Sequence, residues 1–397
     1  MRELQVLSDG HLKLDFAEGK EFFEQELHEQ VRSQLKALIE KALEAERDRH
    51  LDLGYYEHAP QFRFDYRNGY YFRDFATRLG LLRRLRIPRT RRGFRSQFLP
   101  RYKRRQQAVN DLIRQAFLRG ISTRQVGEVL EPVLGEAYSA QTVSNITREL
   151  DGAVTQFHRR KLGDDYLYLF LDGVVLKVRD TSGQVRRRVV LVACGLTRTG
   201  RRELIAYRFA INGESEASWV EFLQDLFLRG LEGKHLRLLV SDGGAGLRAA
   251  LPLVFPCIPV QLCWAHKLRN IAEKVRRREG SCVAQAAAIY RAASHSQAQR
   301  AFRQWKQQWE PRRPRAVACV ERDLDSLLHF FEVPSGHWKK VRTTNVIERA
   351  FREVRRRTRP MSSFSNPASC DRIVFGVISH LNRSWESKPL PEFTQNA

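Results

Sequence analysis

Apolar residues at helical spacing open the readable part of the chain. Phe22, Phe23, Leu27, Val31, Leu35, Leu38, Ile39 and Leu43 recur among charges, which predicts an amphipathic helix over residues 21–50. An aromatic-rich stretch follows. Residues 71–87 then predict a hairpin: a strand from Tyr71 to Leu79, a turn at Gly80, and a strand from Leu81 to Ile87 that Pro88 stops. Helical spacing returns over 101–118. Ser122 then predicts an N-cap for a helix with apolar positions at Val126, Val129 and Leu130. A break spans Gly135 to Tyr138, and Ser139 caps a second helix, Ala140 to Arg148.

From 165 the period changes to that of strands. Tyr166 to Leu171 is an apolar run, followed by strands at Arg187–Gly195 and Glu203–Ala210. A helix over Ser215–Leu228 carries the stripe Trp219, Phe222, Leu223, Leu226 and Phe227. A second apolar run, Leu236 to Ser241, precedes a helix near 244–253, and Cys257–Leu262 is a last strand. The order is β-β-β-α-β-α-β. Between Leu262 and Thr343 the chain reads as helical. Trp305, Trp309 and Trp338 lie there, and packing is favoured for them over stacking on bases. The segment Lys388–Ala397 is expected to fray.

Composition sharpens this picture. Of 397 residues, 42% are hydrophobic, enough for real cores, and the length suits two to four domains. Lys and Arg number 69 against 45 Asp and Glu, a net charge of +24, so a polyanionic partner is expected. Arginine dominates and forks onto phosphates and guanine edges, which favours DNA over a membrane surface. The six cysteines are dispersed, unlike a disulfide framework, so a reducing compartment is expected. No secretory signal pattern and no membrane-length apolar stretch is read, and the expected location is the cytoplasm, on the nucleoid.

The basic hairpin region offers Arg83, Arg84 and Arg86 as phosphate contacts, although charges on an edge strand also deter aggregation. The capped helix, turn and capped helix over 120–150 fit a helix-turn-helix. Its second helix presents Gln141, Thr142, Ser144, Asn145 and Arg148, able to reach base edges and phosphates. An ordinary helical hairpin has the same pattern.

Three acidic residues carry candidate chemistry. Asp172 ends the first apolar run, Asp242 ends the second, and Glu348 opens a strongly basic helix that also holds Arg355, Arg356 and Arg357. Each has a plainer reading. Asp172-Gly173 is a hairpin-turn signal, Asp242 suits a helix cap, and Glu348 has capping-box spacing. Cys263 and His266 form a Cys-x-x-His pair, half of a zinc site, with Cys257 or Cys282 as the thiols that would have to join it.

Five separated stretches resemble one family in its order. They are Leu171 to Arg179; Ser241 to Leu247, with Phe255-Pro256; Gln261 to Asn270; Arg342 to Glu348; and, upstream, Tyr66 to Tyr70 with Ile87-Pro88-Arg89. The chain resembles the mutator-type transposases of bacterial insertion sequences, a branch of the DDE recombinases. The resemblance runs from about residue 60 to about residue 385. Gly173 stands where many members have alanine.

The resemblance implies an α/β protein with a ribonuclease H-like catalytic core and an α-helical insertion. The expected parts are a helical N-terminal region (1–60), a basic hairpin region (61–100), a helix-turn-helix domain (101–160), a first core part (161–262), the insertion (263–342), a last core part (343–385) and a flexible tail (386–397). Asp172, Asp242 and Glu348 are implied as a catalytic triad holding two Mg²⁺ or Mn²⁺ ions, since close carboxylates need cations to neutralise them. Cys263 and His266 are implied to lie near that site. The substrates are implied to be double-stranded DNA, at the element's terminal repeats and at the target. A homodimer is expected, because two element ends are handled together. A metal nuclease that cuts without joining and a DNA-binding regulator descended from a transposase are the alternatives.

Overall fold

The computed structural model describes residues 16–52, 65–180, 182–358, 363, 364 and 366–394. The chain divides into two compact units, Met1–Arg148 and Glu149–Ala397.

In the first unit a long helix α1 (Phe16–His50) lies against a two-stranded antiparallel ribbon, β1 (Arg67–Thr77) and β2 (Gly80–Thr90). Ile39 and Leu43 of α1 bury against Phe75, Leu82, Leu85 and Ile87. Asp48 accepts from Arg47 at 2.7 Å and from Arg67 at 3.1 Å, tying helix to strand. The hairpin differs from expectation in two ways. The turn falls at Arg78 and Leu79, with Gly80 at φ 110° opening β2, and Pro88 sits inside β2 opposite Tyr70. A two-stranded ribbon gives every strand a free edge, where a missing N–H costs no ladder bond.

The helix expected from 101 begins instead at Gln107, as α2 (Gln107–Leu118). The preceding residues are held to β1, with Ala76 N donating to Arg104 O and Gln106 N to Ala76 O. Then come α3 (Thr123–Leu134) and α4 (Ala140–Arg148), capped as the sequence predicts. Ser122 Oγ accepts from Gln125 N at 3.3 Å and Ser139 Oγ from Thr142 N at 3.2 Å. Gly127 of α3 is required by a close approach, since a β-carbon there would strike the Tyr138 carbonyl.

The second unit starts with α5 (Leu150–Arg159), which the sequence reading had grouped with the DNA-binding segment ending at 160. Arg372 forks onto Asp151 at 2.6 and 2.9 Å and holds α5 in this unit. Its centre is a five-stranded sheet of β3 (Tyr166–Arg179), β4 (Val185–Thr197), β5 (Arg202–Ala210), β6 (Leu238–Ser241) and β7 (Val260–Leu262). The spatial order is β5-β4-β3-β6-β7. β3, β4 and β5 are antiparallel neighbours, while β6 and β7 run parallel to β3.

Helices α6 (Glu216–Leu228) and α7 (Ala245–Val254) cover one face. Trp219, Phe222, Leu223, Leu247 and Leu251 pack there on Leu169, Leu171 and Leu191. Each buried side chain of this size contributes roughly 1.5–3 kcal/mol. Residues of opposite parity on β3 point to the other face. There Tyr168 Oη lies 2.7 Å from His337 Nδ1.

The 263–342 segment is helical as predicted, with α8 (Trp264–Ala272), α9 (Gly280–Arg291), α10 (His295–Trp309), α11 (Pro314–Glu321), α12 (Leu324–Leu328) and α13 (Trp338–Val341). Its tryptophans pack rather than display faces: Trp305 Nε1 donates to Cys282 O, Trp309 Nε1 to Gln285 Oε1 and Trp338 Nε1 to Val333 O. A buried ionic knot joins the segment to the core. Asp323 accepts from Lys267 Nζ at 2.6 Å and Arg248 Nη1 at 2.7 Å.

Last come α14 (Asn345–Thr358), α15 (Pro367–Glu386) and α16 (Pro391–Thr394). The expectation of a frayed 386–397 tail is corrected through residue 394. Phe393 of α16 is buried and stacks on His337 with ring centroids 3.8 Å apart. Residues 395–397 lie outside the described residues. No helix among the described residues is long and apolar enough to cross a membrane.

Candidate active site

Two aspartates are brought together by strand register. β3 and β6 run parallel, with Leu171 paired to Ser241. The next residues, Asp172 and Asp242, therefore stand side by side at the spacing of neighbouring strands. Asp172 does not end its strand or make a turn. It lies mid-β3 opposite Val192, and the turn comes at Asp180, whose carboxylate accepts from Ser182 N and Gln184 N. The apolar run looked finished at 171 only because a carboxylate interrupts it. Asp242 follows β6 directly and accepts from Gly244 N at 3.0 Å, so it also shapes the turn into α7.

Glu348 arrives through a chain of backbone ties. Cys263 N donates to Ser241 O at 2.7 Å, placing the start of α8 beside Asp242. Trp264 N donates to Arg342 O at 3.0 Å, and the buried Cys263 sulfur accepts from Thr344 N at 3.3 Å. The N-termini of α8 and α14 are thus pinned together. His266 of α8 and Glu348 of α14, each near its helix start, face one another with Nε2 and Oε1 3.7 Å apart. Arg269 Nη2 reaches the same oxygen at 3.4 Å. The Glu348 carboxylate therefore faces α8, and the capping-box reading does not describe its partners.

Charge reflects this crowding. Asp172 is 5% exposed, and burial first, then Asp242 and Glu348, push its carboxyl up to about 7, against the pull of His266 and Thr344. The Cys263 sulfur raises His266 to about 9 against burial, and Asp172 and Asp242 add to the rise. His266 Nδ1 is buried and meets no partner of regular hydrogen-bond geometry, so the influence of the sulfur is one of proximity and charge. Burial alone would raise the Cys263 thiol, but His266 and Thr344 outweigh it and hold the thiol below its ordinary value.

A fourth carboxylate stands here. Glu214 precedes α6 and lies over Gly173, filling the space that a β-carbon on residue 173 would take. Its Oε2 would be 3.6 Å from a β-carbon on Gly244, which would also touch Asp242 Oδ1 at 3.5 Å. Burial, then Asp242, raise its carboxyl above the ordinary value. Sequence reasoning passed over Glu214 because it looks like part of a loop before a capped helix. The one available signal was Gly173, a small residue beside Asp172.

Other candidates are placed as follows. Arg83 and Arg84 are exposed on β2, whereas Arg86 is paired with Glu40 of α1 at 3.1 Å. Gln141 and Asn145 are exposed on α4 and bonded to each other at 3.0 Å. Thr142 and Ser144 are half-buried beside them, and Arg148 is exposed. Arg355 and Arg356 are exposed on α14, Arg356 paired with Glu353 at 2.9 Å, and the Arg357 side chain lies outside the described residues. Cys257 is exposed and Cys282 is buried on α9. Among the described residues no group of three or more His, Cys, Asp or Glu side chains is gathered closely enough, as the side chains stand, to hold a metal ion.

A mixed sheet carrying paired aspartates, with a glutamate delivered by a late helix, defines a carboxylate-centred α/β site. The chain belongs to the Mutator family of transposases, whose model matches residues 8–388. It is 35% identical over 357 residues to the transposase for insertion sequence element ISRM5 of Rhizobium meliloti, covering 89% of this chain and 88% of that one. It is 31% identical to the transposase for element IS905 of Lactococcus lactis, covering 90% of each. It is also 30% identical to the transposase for element IS256 in transposon Tn4001 of Staphylococcus aureus, over 88% of this chain and 90% of that one.

Proposed function

We propose that this chain is a DNA transposase that binds the terminal inverted repeats of a mobile element, cleaves the phosphodiester at its ends and joins them to target DNA. Asp172, Asp242 and Glu348 are the reacting-centre carboxylates. The observation that carries this reading is the parallel β3–β6 register, which sets Asp172 beside Asp242 within reach of the α8–α14 junction. The strand order, antiparallel through β5, β4 and β3 and parallel through β6 and β7, fits a ribonuclease H-like core.

The donor set fits a hard divalent cation. Asp172 and Asp242 on neighbouring central strands and Glu348 on α14 offer oxygen donors only, which would suit Mg²⁺ or Mn²⁺ rather than a soft metal once the side chains close on it. Two such ions, when bound, supply activation of a water or 3′-hydroxyl and stabilisation of the leaving oxygen. The protein's own part is placement. His266 and Arg269 hold the Glu348 carboxylate from α8. His266, whose imidazole is raised above its ordinary value chiefly by the Cys263 sulfur, also offers a donor to a phosphate oxygen.

DNA recognition falls to other elements. The α3–α4 pair acts as a helix-turn-helix, with Gln141, Thr142, Ser144 and Asn145 at base edges and Arg148 at phosphate. Arg83, Arg84, Arg355, Arg356 and Arg357 supply sequence-independent phosphate contacts. Two element ends call for a homodimer, working on the nucleoid in the cytoplasm.

The test is a strand-transfer assay with purified protein, Mg²⁺ and a duplex ending in the inverted repeats that flank the gene. Joined products support the reading. Cutting without joining indicates a nuclease, and binding with neither indicates a regulator; each overturns it.

A further inference from the structure

A cavity of about 700 Å³ opens within the second unit, lined by neighbours in sequence of the site residues and not by the carboxylates themselves. It begins at Phe170, two residues before Asp172 on β3 and therefore on the same face of the sheet. Its other walls come from α8 and α14, with β4, β5, α9, α13 and α15 completing them. On α14 it takes Arg349 and Arg352, the residues following Glu348 around the helix, and on α8 it takes Leu268, between His266 and Arg269.

The lining has two characters. Phe170, Leu196 and Ala350, all nearly buried, back an apolar floor to which the half-buried Leu268 adds accessible surface. Arg202, Arg342, Arg349 and Arg352 bring positive charge, and among the described residues none of these four has a carboxylate ion-pair partner. Glu353, the acid that lines the cavity, is instead paired with Arg356 at 2.9 Å. Two of the guanidinium groups sit over rings, Arg342 over Tyr290 at 4.8 Å and Arg202 over Trp385 at 5.0 Å. Arg202 Nε is buried without a hydrogen-bond partner, and Arg349 is close enough to act on Arg202 as a like charge. Concentrated unbalanced charge of this kind calls for an anion.

A phosphate alone would satisfy the arginines and leave the floor wet. The basic cavity of the first unit, about 450 Å³ and lined by Arg89, Arg91, Arg92 and Arg95 among mostly polar groups, has that simpler character. The cavity that reaches Phe170 instead suits a ligand with a flat apolar part and an anionic edge. Duplex DNA keeps its bases stacked inside, so only an unpaired nucleotide offers both at once.

We propose that this cavity receives a single unpaired nucleotide of the DNA substrate, with the base on the Phe170–Leu268–Ala350 floor and the phosphate on Arg349 and Arg352. It rests on the transposase reading only in taking DNA as the substrate. Seating a nucleotide there would draw a strand out of the duplex on the same face of the sheet as Asp172.

The test measures binding of the full chain to a blunt DNA duplex and to the same duplex with a short unpaired 3′ extension, at one salt concentration. The extended duplex should bind about tenfold more tightly, the scale of one base contact. Ala350→Phe, which fills the floor, should abolish that preference while binding to blunt duplex stays unchanged, with a thermal melt confirming the fold. Arg352→Gln should reduce it, and inorganic phosphate should compete for the extension only weakly. Equal binding of the two duplexes by the unaltered protein would overturn the proposal. So would a preference that survives Ala350→Phe, or full competition by inorganic phosphate, which would mark an anion site alone. If the preference holds and strand transfer fails, the transposase reading falls and this assignment stands.

Discussion

Glu214 lies over Gly173, its carboxylate occupying the place of a missing β-carbon next to Asp172. The pairing puts a fourth acid at the edge of the Asp172–Asp242–Glu348 group without making it part of any of their three elements. Glu214→Gln keeps the volume and removes the charge. The expected outcome is a cleavage rate lower by about ten- to a hundredfold at fixed Mg²⁺, the range for groups that tune a metal site, recovering in part as Mg²⁺ is raised. Cleavage measured across a Mg²⁺ titration checks this; an unchanged curve would leave Glu214 a bystander.

His266 and Cys263 separate by role. His266→Ala removes one of the two α8 partners of Glu348, leaving Arg269, and should reduce cleavage far more than it shifts the melting temperature. Cys263→Ser should do the reverse, because its buried sulfur accepts from Thr344 N and pins α8 to α14. Cleavage rates and thermal melts on both variants decide between them. A His266→Ala protein that unfolds yet stays active per folded molecule would make the histidine structural.

The ionic knot at Asp323 predicts an acid-labile stability. Asp323 is buried, and although burial opposes it, hydrogen bonds from Lys267, Arg248 and Arg322 hold its carboxyl well below the ordinary range. A depressed folded-state value means that the stabilisation is present above the unfolded value, near pH 4, and is lost as pH falls below it. Asp323→Ala leaves Lys267 buried without its carboxylate and should cost about 3–5 kcal/mol above that pH. Denaturant melts should show the gap between variant and parent closing under acid; a constant gap would contradict the assignment.

The basic elements of the first unit predict two kinds of DNA defect. Gln141→Ala or Asn145→Ala should weaken specific over random DNA by about 1–3 kcal/mol per base contact. Arg83→Ala should weaken all DNA alike and reduce the salt slope by about one. Arg86→Ala should behave differently, because Arg86 is paired with Glu40; its effect should appear as a loss of stability of about 1 kcal/mol, since Glu40 is buried but still accepts from the backbone N–H of residue 86. Binding titrations over a salt series, on specific and random duplexes, test all three. Equal losses on both duplexes for the α4 variants would remove their role in base reading.

What the sequence disclosed followed from local rules. The caps at Ser122 and Ser139, the β-β-β-α-β-α-β order and the helical 263–342 segment rest on nearest-neighbour chemistry. Asp172, Asp242 and Glu348 stood out because a carboxylate broke or followed a pattern. The rest depends on contacts across the fold. Glu214, in the bend before α6, acquires its place from Gly173 on β3, Arg86 is occupied by a helix 46 residues earlier, and Phe393 is ordered by His337. Pro88 was misread as a stop because a sequence does not say that its sheet has only two strands. The cavity floor joins β3, β4, α8 and α14, and no single stretch carries its signature.

The account stands most directly on one comparison. Asp172→Asn, Asp242→Asn and Glu348→Gln are each assayed beside the parent for joining of inverted-repeat ends to target DNA with Mg²⁺, with end binding measured on the same preparations. Each variant should bind the ends as the parent does and give no joined product. A variant that still joins DNA at near the parent's rate would remove that residue from the reacting centre.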